Sequence, residues 1–480
     1  MQRRVDLAPV ELLENDELQP QDVSAPVRKT RRWWLAAVPA VAVGLVVGTQ
    51  QLIDARERAA DARIAALPGA VARVGSSLDV VWQTDDAVGG MAWDPVTLGA
   101  LHGVVVGTDG SLAYEALDTA TGTITWSTPL LGPDEALTDP RNTTTTHCEH
   151  SGHDRAVCLV ADGYQRSSDT GEDEGRAATE AHVVVVDLTD GSVLADRTIA
   201  PASSLAVLPD LVATAVVDDR RHLVVVATDP MTGDELWRYR DVDPVRGRVD
   251  DQTATISSAG DLIVLFNRPS GPLVLDADGK ILEPDESTDS WGTTREGWLT
   301  WSRRNPDGPD PLTRVMRPGQ LPLDITGDLL TRTVDDGSIP GLELSTGGKT
   351  YAWDAGTGTL RWSADVIAER NWGDQVLVLG GRVYLPTADG VVALDGEDGS
   401  VLWTTPHSPA TMPGELLTDG PHLLLVQSPV DPAGTGDVLV LDRRDGTALR
   451  RAPLPEGTWY AFEAGGRLIS DDGDGIVGLG

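Results

Sequence analysis

Residues 391–403 read VVALDGEDGSVLW, and this short stretch decides the fold. An apolar run ends at Asp395, Gly399 follows four residues later, and Trp403 follows that glycine by four more. The pattern predicts a β-hairpin in which the glycine takes a turn position with positive φ and the second strand carries the tryptophan.

The same hairpin pattern recurs along the chain. Copies that keep all three residues are ALDTATGTITW ending at Trp126, ATDPMTGDELW ending at Trp237 and AWDAGTGTLRW ending at Trp362. Weaker copies without the tryptophan lie at Asp187, Asp276 and Asp442. Successive aspartates are separated by 69, 42, 47, 78, 41 and 47 residues, so the period is a little over forty with two long gaps. Such a period is typical of four-stranded propeller blades.

The two ends of the chain predict how the ring closes. Residues 465–480 run parallel to residues 380–395 but stop where the last strand is expected, while residues 76–84, with Trp82, resemble residues 399–405. We therefore expect the N-terminal strand to complete the C-terminal blade, which removes free sheet edges. Seven hairpins plus this shared blade predict eight blades. Seven or nine are alternatives, because the longest gap has room for a degenerate blade around residues 296–304.

The Asp–Gly–Trp hairpin resembles the PQQ-binding-like β-propeller repeat over about residues 77–480. The resemblance implies an all-β fold in which the repeat tryptophans pack between neighbouring blades and do no chemistry. These docking residues are Trp82, Trp126, Trp237, Trp362 and Trp403. With only three lysines, the composition resembles that of a high-GC actinobacterium, and the chain is interpreted as a membrane-anchored form of the family.

The family includes quinoprotein dehydrogenases, which hold pyrroloquinoline quinone (PQQ) over the central channel with calcium bound by Glu, Asn and Asp. Many of them also carry a vicinal cysteine pair or a CxxCH haem site. This chain has neither motif, and no Glu–Asn–Asp set can be mapped onto it. The resemblance therefore carries over the fold without the cofactor. We expect no catalytic residues, and neither PQQ nor calcium is supported by the sequence.

An uncharged segment at residues 33–53 follows four basic residues within residues 28–32. At 1.5 Å per residue it would be about 31 Å long, enough to cross a bilayer, and the basic cluster would hold the N-terminus in the cytoplasm. A cleaved signal peptide is the alternative, although the acidic leader and the lack of a clear cleavage site favour an anchor. The predicted organisation is a disordered tail over residues 1–32, a transmembrane helix over 33–53, a helical stalk over 54–76 and an extracytoplasmic propeller over 77–480.

The chain carries a net charge of −36, and all of the excess lies beyond the first 32 residues. Such a surface repels polyanions, which counts against nucleic acid as a partner of the main domain. It favours solubility instead.

Residues 147–158, HCEHSGHDRAVC, hold the densest set of metal-binding side chains. Cys148 and Cys158 form an even pair in a predicted oxidising compartment, which favours a disulfide. A zinc site that also uses His147, His150 and His153 is the alternative, but the spacing matches no established zinc pattern. We predict a disulfide-closed insertion loop with exposed histidines and no metal.

Residues 276–279, DADG, and residues 471–475, DDGDG, look like fragments of calcium loops. A full calcium loop needs six or more oxygen ligands, and neither stretch shows the later carboxylate that would complete one. Aspartate and glycine are also the residues that tight turns require. We therefore predict plain turns at both places.

The function predicted from these features is a binding or scaffold module for an unknown envelope protein or extracellular ligand, because the loops of a propeller form surfaces suited to recognition. The alternatives are a PQQ-dependent quinoprotein oxidoreductase and a sensor ectodomain that signals through the stalk to the cytoplasmic tail.

Overall fold

The computed structural model places the chain in two compact units, residues 1–59 and residues 60–480. It describes residues 50–52, 55–84, 99–139, 141–152, 154–166, 174–202, 204–244, 255–266, 272–282, 290–293, 298–305, 308–316, 322–369, 375–431, 434–458, 460–471 and 475–480. In the first unit, residues 50–52 and 55–59 are helical. The second unit is built almost entirely from β-strands.

Most strands of the second unit fall into nine successive sheets within the described residues. Strand β1 (Val80–Gln83) belongs to the last of them. Sheet 1 contains β2 (Ala100–Val106), β3 (Leu112–Asp118) and β4 (Thr123–Leu131). A small separate sheet contains β5 (Asn142–Thr144), β8 (Tyr164–Arg166) and β9 (Glu174–Arg176). Sheet 2 contains β6 (His147–Ser151), β7 (Arg155–Ala161), β10 (Ala181–Asp187) and β11 (Val193–Ile199).

The next three sheets each have four antiparallel strands in chain order. Sheet 3 contains β12 (Ser204–Leu208), β13 (Leu211–Val217), β14 (His222–Thr228) and β15 (Glu235–Pro244). Sheet 4 contains β16 (Ile256–Ala259), β17 (Leu262–Leu265), β18 (Leu273–Asp276) and β19 (Ile281–Leu282). Sheet 5 contains β20 (Ser290–Thr293), β21 (Leu299–Arg303), β22 (Leu312–Met316) and β23 (Leu323–Thr326).

The remaining sheets continue the series. Sheet 6 contains β24 (Asp328–Leu329), β26 (Leu342–Thr346), β27 (Thr350–Asp354) and β28 (Leu360–Ala364). Sheet 7 contains β29 (Gln375–Leu379), β30 (Arg382–Thr387), β31 (Gly390–Asp395) and β32 (Val401–Pro406), with β25 (Thr331–Asp335) added parallel to β29. Sheet 8 contains β33 (Thr411–Thr418), β34 (His422–Pro429), β35 (Asp437–Asp442) and β36 (Ala448–Pro453). Sheet 9 contains β37 (Phe462–Ala464), β38 (Arg467–Asp471), β39 (Ile476–Leu479) and β1.

The hydrophobic core lies between the sheets. Nine buried clusters occur in the described residues, and each joins one sheet to the next, with the last joining sheet 9 to sheet 1. The middle strands are covered on both faces and therefore read as continuous apolar runs, such as VVAL in β31. This arrangement is a β-propeller, as the sequence predicts.

The N-terminal strand lies in the same sheet as the C-terminal strands, at the place where the sequence predicted a shared blade. Strand β1 pairs antiparallel with β39, with Trp82 opposite Gly478 and Val80 opposite Leu479. The longest gap between the hairpins is filled by sheet 5, whose second strand contains residues 299–303 of the suspected degenerate blade.

Residues 65–76 differ from the helical stalk predicted over residues 54–76. The helix ends at residue 64, and residues 70–79 have no regular secondary structure and contact sheets 8 and 9. The Val71 amide donates to the Thr418 carbonyl at 2.9 Å and the Ala72 amide to the Gly466 carbonyl at 2.7 Å, while Val74 and Leu78 join the core. Their side chains therefore add to the propeller instead of extending a helix.

Among the residues that the structure describes, no helix has both the length and the apolar character needed to cross a membrane. Most of the predicted transmembrane segment, residues 33–49, and the tail over residues 1–32 lie outside the described residues.

Candidate functional site

The repeat aspartates and glycines form the predicted turns. Asp395 accepts a hydrogen bond from the Glu397 amide through Oδ1 at 2.8 Å, and its carbonyl accepts one from the Gly399 amide at 2.9 Å. The seven turn glycines have φ angles between 68° and 79°, a conformation that glycine adopts without strain. At residues 276–279 the Asp276 carboxylate likewise accepts from the amides of Asp278 and Lys280, so DADG is a turn.

The repeat tryptophans lie against the turn of the following sheet. A Cβ atom added to Gly399 would lie only 2.5 Å from Cε3 of Trp362, and the Trp362 Nε1 donates to the Gly396 carbonyl at 3.0 Å. The glycine is needed at this point because its bare Cα lets the indole ring approach the backbone. Equivalent Nε1 bonds run from Trp126 to the Leu188 carbonyl at 3.2 Å and from Trp237 to the Ala277 carbonyl at 2.7 Å.

The other two repeat tryptophans, Trp82 and Trp403, pack their rings against a turn glycine but do not donate an Nε1 hydrogen bond to a carbonyl of that turn. Trp82 lies against Gly122, and Trp403 lies against Gly446. The Trp403 Nε1 is buried without a partner, since the Tyr384 hydroxyl donates to the carbonyl at the corresponding position, Arg443, at 3.1 Å. Where the repeat lacks its tryptophan, Arg197 lies against Gly233 and Leu323 lies against Gly358. All five tryptophans singled out by sequence thus contact the next sheet.

The two cysteines form a disulfide between neighbouring strands. Cys148 on β6 lies directly opposite Cys158 on β7. The strand alternates, so Cys148 and His150 face sheet 1 while Glu149 faces sheets 3 and 4. The predicted loop is therefore a β-hairpin, and His150 is half-buried instead of exposed. His153 lies outside the described residues.

Glu149 connects the innermost strands of three sheets. Its Oε2 accepts hydrogen bonds from the Val207 amide on β12 and the Ser258 hydroxyl on β16, both at 3.0 Å. A carboxylate can reach three sheets only where they converge, at the centre of the ring. Burial raises the pKa of Glu149 to about 7, and its two hydrogen bonds act against that increase.

Glu415 on sheet 8 connects three sheets in the same way as Glu149 on sheet 2 does. It lies on β33 and accepts from the Gln375 side-chain amide on β29 at 3.2 Å and from the Glu463 amide on β37 at 3.3 Å. Burial, with a smaller contribution from the Glu463 carboxylate, raises the pKa of Glu415 to about 7. Burial also raises the pKa of Glu463. Glu149 and Glu415 can therefore hold or release a proton near neutral pH at the centre of the propeller.

Sequence reasoning missed all three glutamates. The available signal was an acid inside a strand, as in HCEHS of β6 and TMPGELLT of β33. That signal is weak by itself, because a glutamate on a half-exposed strand is ordinary. Only the packing of three sheets around the carboxyls of Glu149 and Glu415 makes these two residues unusual.

In the described part of the chain, no three His, Cys, Asp or Glu side chains are grouped so that they could hold a metal ion. The cysteines are paired across two strands and are not adjacent in sequence. Part of the second calcium-like stretch, residues 472–474, lies outside the described residues.

Comparison with known proteins shows which family these repeats resemble. Residues 293–464 match the family described as outer membrane protein assembly factor BamB. No curated protein matches the chain in sequence. Among solved structures, BamB from Moraxella catarrhalis is 14% identical over 66% of this chain and 93% of that chain, with a TM-score of 0.35.

Quinohemoprotein alcohol dehydrogenases are also similar in structure. The enzyme ADHIIG from Pseudomonas putida HK5 is 13% identical over 88% of this chain and 81% of that chain, with a TM-score of 0.37. The enzyme from Comamonas testosteroni is 14% identical over 84% of this chain and 76% of that chain, with a TM-score of 0.34.

Proposed function

This chain is a β-propeller built from PQQ-like repeats, and on that premise we propose that it is a protein-binding scaffold of the cell envelope. In this proposal residues 33–53 anchor it in the cytoplasmic membrane and the propeller lies outside the cytoplasm. The match of residues 293–464 to an assembly factor supports a binding role over a catalytic one. The partner is an envelope protein that recognises the outer edge of the propeller.

We further propose that the propeller has nine blades, one more than the repeat count of eight. The nine successive sheets of the described residues and the nine clusters between them support this number. Sheet 5 is the added blade, and it escapes the repeat count because it lacks the Asp–Gly–Trp hairpin.

The observation that carries the scaffold proposal is a recurring set of exposed apolar side chains on the outermost strands. Leu360 is 50% exposed and Val401 is 53% exposed, each two residues after its turn glycine on neighbouring sheets 6 and 7. The same part of the repeat is apolar and exposed at Ile124, Val193, Leu236, Ile281 and Leu449. These side chains are about half-exposed and recur on the outermost strands, so a partner that covers these strands would bury apolar surface.

The outermost strands also carry unpaired backbone groups. In the described residues β28 pairs only with β27, and β32 pairs only with β31. Exposed edges with apolar side chains promote aggregation unless another chain covers them. A partner strand added along such an edge would gain backbone hydrogen bonds and apolar contacts together.

The test is crosslinking in the native membrane followed by mass spectrometry of the purified full-length chain and everything attached to it. The variant is the pair Leu360→Asp and Val401→Asp. The matched control is the pair Ser363→Asp and Thr404→Asp, which adds the same charges to exposed positions of the same two strands without removing apolar surface.

We expect the wild-type chain and the control to crosslink reproducibly to one envelope protein and the apolar variant to lose that product. Equal crosslinking of the apolar variant would show that the edge is not the binding surface. Recovery of bound PQQ, with no reproducible protein partner, would overturn the scaffold proposal in favour of an oxidoreductase.

A further inference from the structure

Four loops lie at one end of sheets 6, 7 and 8. The chain leaves β28 through residues 365–369, turns between β30 and β31 at residues 387–390, passes from β32 to β33 through residues 407–410 and leaves β34 at residues 430–431. Antiparallel pairing brings the second of these segments beside the end of β32 and the fourth beside the start of β33. We call these four segments, together with the first two residues of β33, the loop surface.

Hydrogen bonds join the loops to one another. The His407 amide donates to the Asp389 carbonyl at 3.1 Å, and the His407 Nε2 lies 2.7 Å from the Ala388 carbonyl. The Val430 amide donates to the Ala410 carbonyl at 3.1 Å. The loops are therefore held in place before any partner arrives, which lowers the ordering cost of binding.

The loop surface exposes three large apolar side chains. Ile367 is 57% exposed, Met412 is 41% exposed and Val430 is 56% exposed. The Glu369 amide donates to the Pro386 carbonyl at 2.9 Å, which holds the loop of Ile367 against sheet 7. Single exposed apolar side chains are common on protein surfaces, whereas a joined group of them is typical of an interaction site.

The charge of the loop surface selects the kind of partner. Asp365, Asp389 and Asp431 are exposed on these loops, and the four loops contain no lysine or arginine. Lys349 reaches Asp365 from a neighbouring turn at 2.5 Å. A basic partner is attracted to this surface, while a second copy of a chain with a net charge of −36 and an anionic lipid surface are both repelled.

We propose that the loop surface binds a segment of a second envelope protein in which lysine or arginine flanks apolar side chains. The apolar side chains cover Ile367, Met412 and Val430, and the cations face the three aspartates. This inference rests on the proposed scaffold role but uses a different surface. The edge residues Leu360 and Val401 begin β28 and β32, whereas the loop surface lies where these strands end. The propeller can therefore hold one protein at its edge and another at its loops.

The experiment places a photoreactive benzoylphenylalanine at Ala388, an exposed position on the loop surface, in the full-length chain. The native cell envelope is irradiated, and the peptide that is crosslinked to this position is sequenced by mass spectrometry. We expect one product, whose crosslinked peptide contains more lysine and arginine than aspartate and glutamate. Its yield should fall at high salt, because screening weakens the attraction between exposed charges.

Two sets of variants test the apolar and the charged contacts separately. The neutral apolar set should lower the yield at least about 10-fold, as expected for truncating the centre of an interface. It consists of Ile367→Thr, Met412→Gln and Val430→Thr. Asp389→Asn with Asp431→Asn should lower the yield about 3- to 10-fold. The matched control removes exposed apolar side chains from the outermost strands of other sheets and should leave the yield unchanged. It consists of Val193→Thr, Leu236→Gln and Leu449→Gln.

Circular dichroism and thermal unfolding establish that each variant keeps its fold. The proposal is overturned if the product is no stronger than that from the same probe at Glu397, an exposed turn at the opposite end of sheet 7. A crosslinked peptide that is acidic or comes from a second copy of the chain, or a yield that neither variant set changes, also overturns it. The pair Leu360→Asp and Val401→Asp should keep this product, which distinguishes failure of the loop surface from failure of the edge.

Discussion

Glu149→Gln removes a buried carboxyl charge while keeping the oxygen that accepts from the Val207 amide and the Ser258 hydroxyl. In the folded protein burial raises the pKa of Glu149 from its ordinary 4.5 to about 7. The folded state therefore holds the proton more tightly than the unfolded state does. The contribution of this group to stability is fully present below pH 4.5 and is lost as the pH rises through 7.

The size of the effect follows from the difference of the two pKa values. A difference of about 2.5 units corresponds to about 3 kcal/mol, of which about 2.5 kcal/mol is lost between pH 5 and pH 8. We expect the stability of Glu149→Gln, measured as free energy of unfolding relative to the wild type, to rise by about 2.5 kcal/mol between pH 5 and pH 8. Only the wild type has a carboxyl group at this position, so only the wild type is destabilised by desolvation of the charged form as the pH rises.

Urea unfolding at pH 5, 6, 7 and 8, followed by tryptophan fluorescence, measures this difference directly. Glu397→Gln at an exposed turn controls for the general loss of one negative charge. If Glu149→Gln and the wild type lose stability in parallel from pH 5 to pH 8, the carboxyl does not bind its proton as argued and the reasoning fails.

Two further predictions concern the contact between each tryptophan and the next turn. Trp362→Ala should lower the free energy of unfolding by about 3–5 kcal/mol, because it leaves a cavity in a buried site and removes the hydrogen bond to the Gly396 carbonyl. Leu360→Ala on the same strand should lower it by less than about 1 kcal/mol, because Leu360 is half-exposed. Similar urea midpoints for the two variants would contradict this. Gly446→Ala should lower the free energy of unfolding by about 2 kcal/mol more than Gly337→Ala does, a difference typical of an overpacked core site. Both glycines have positive φ, but only at Gly446 would an added Cβ meet an indole ring, 2.4 Å from Cε3 of Trp403. Equal thermal shifts would show that the backbone conformation alone requires glycine.

The turns of the Asp–Gly–Trp hairpins could be predicted from the sequence because the hydrogen bonds that form each turn join residues that are close in the chain. The aspartate carboxylate, the amides after it and the glycine lie within a few residues, so residues 391–403 already contain the turn that the structure shows. The apolar strands between them predict sheets that are buried on both faces. The pairing of β1 with β39 was predicted for a different reason, because the two ends of the chain carry fragments of one repeat.

Sheet 5 and the buried glutamates could not be predicted from a local hairpin pattern. Sheet 5 keeps the propeller architecture through the packing of residues such as Trp301 and Val315 against its neighbours, and it has no hairpin signature. Likewise, residues 65–76 belong to the predicted helical stalk but are not helical, and the side chains of Val71 and Val74 are buried against sheets 8 and 9. Tertiary packing overrides local helix propensity there.

The sequence by itself determined the repeat and its turns, since these depend on residues close in the chain or on a pattern that repeats. It favoured a disulfide between Cys148 and Cys158, while the packing of the tryptophans between sheets was implied by the resemblance to the PQQ-binding-like repeat. Tertiary structure alone decided which side chains meet across sheets. Glu149 contacts Val207 and Ser258 from 58 and 109 residues away, and His102 meets His150 across an interface. Burial, which shifts pKa values and leaves ring nitrogens unpaired, is a property of that three-dimensional packing and has no signature in the order of the residues.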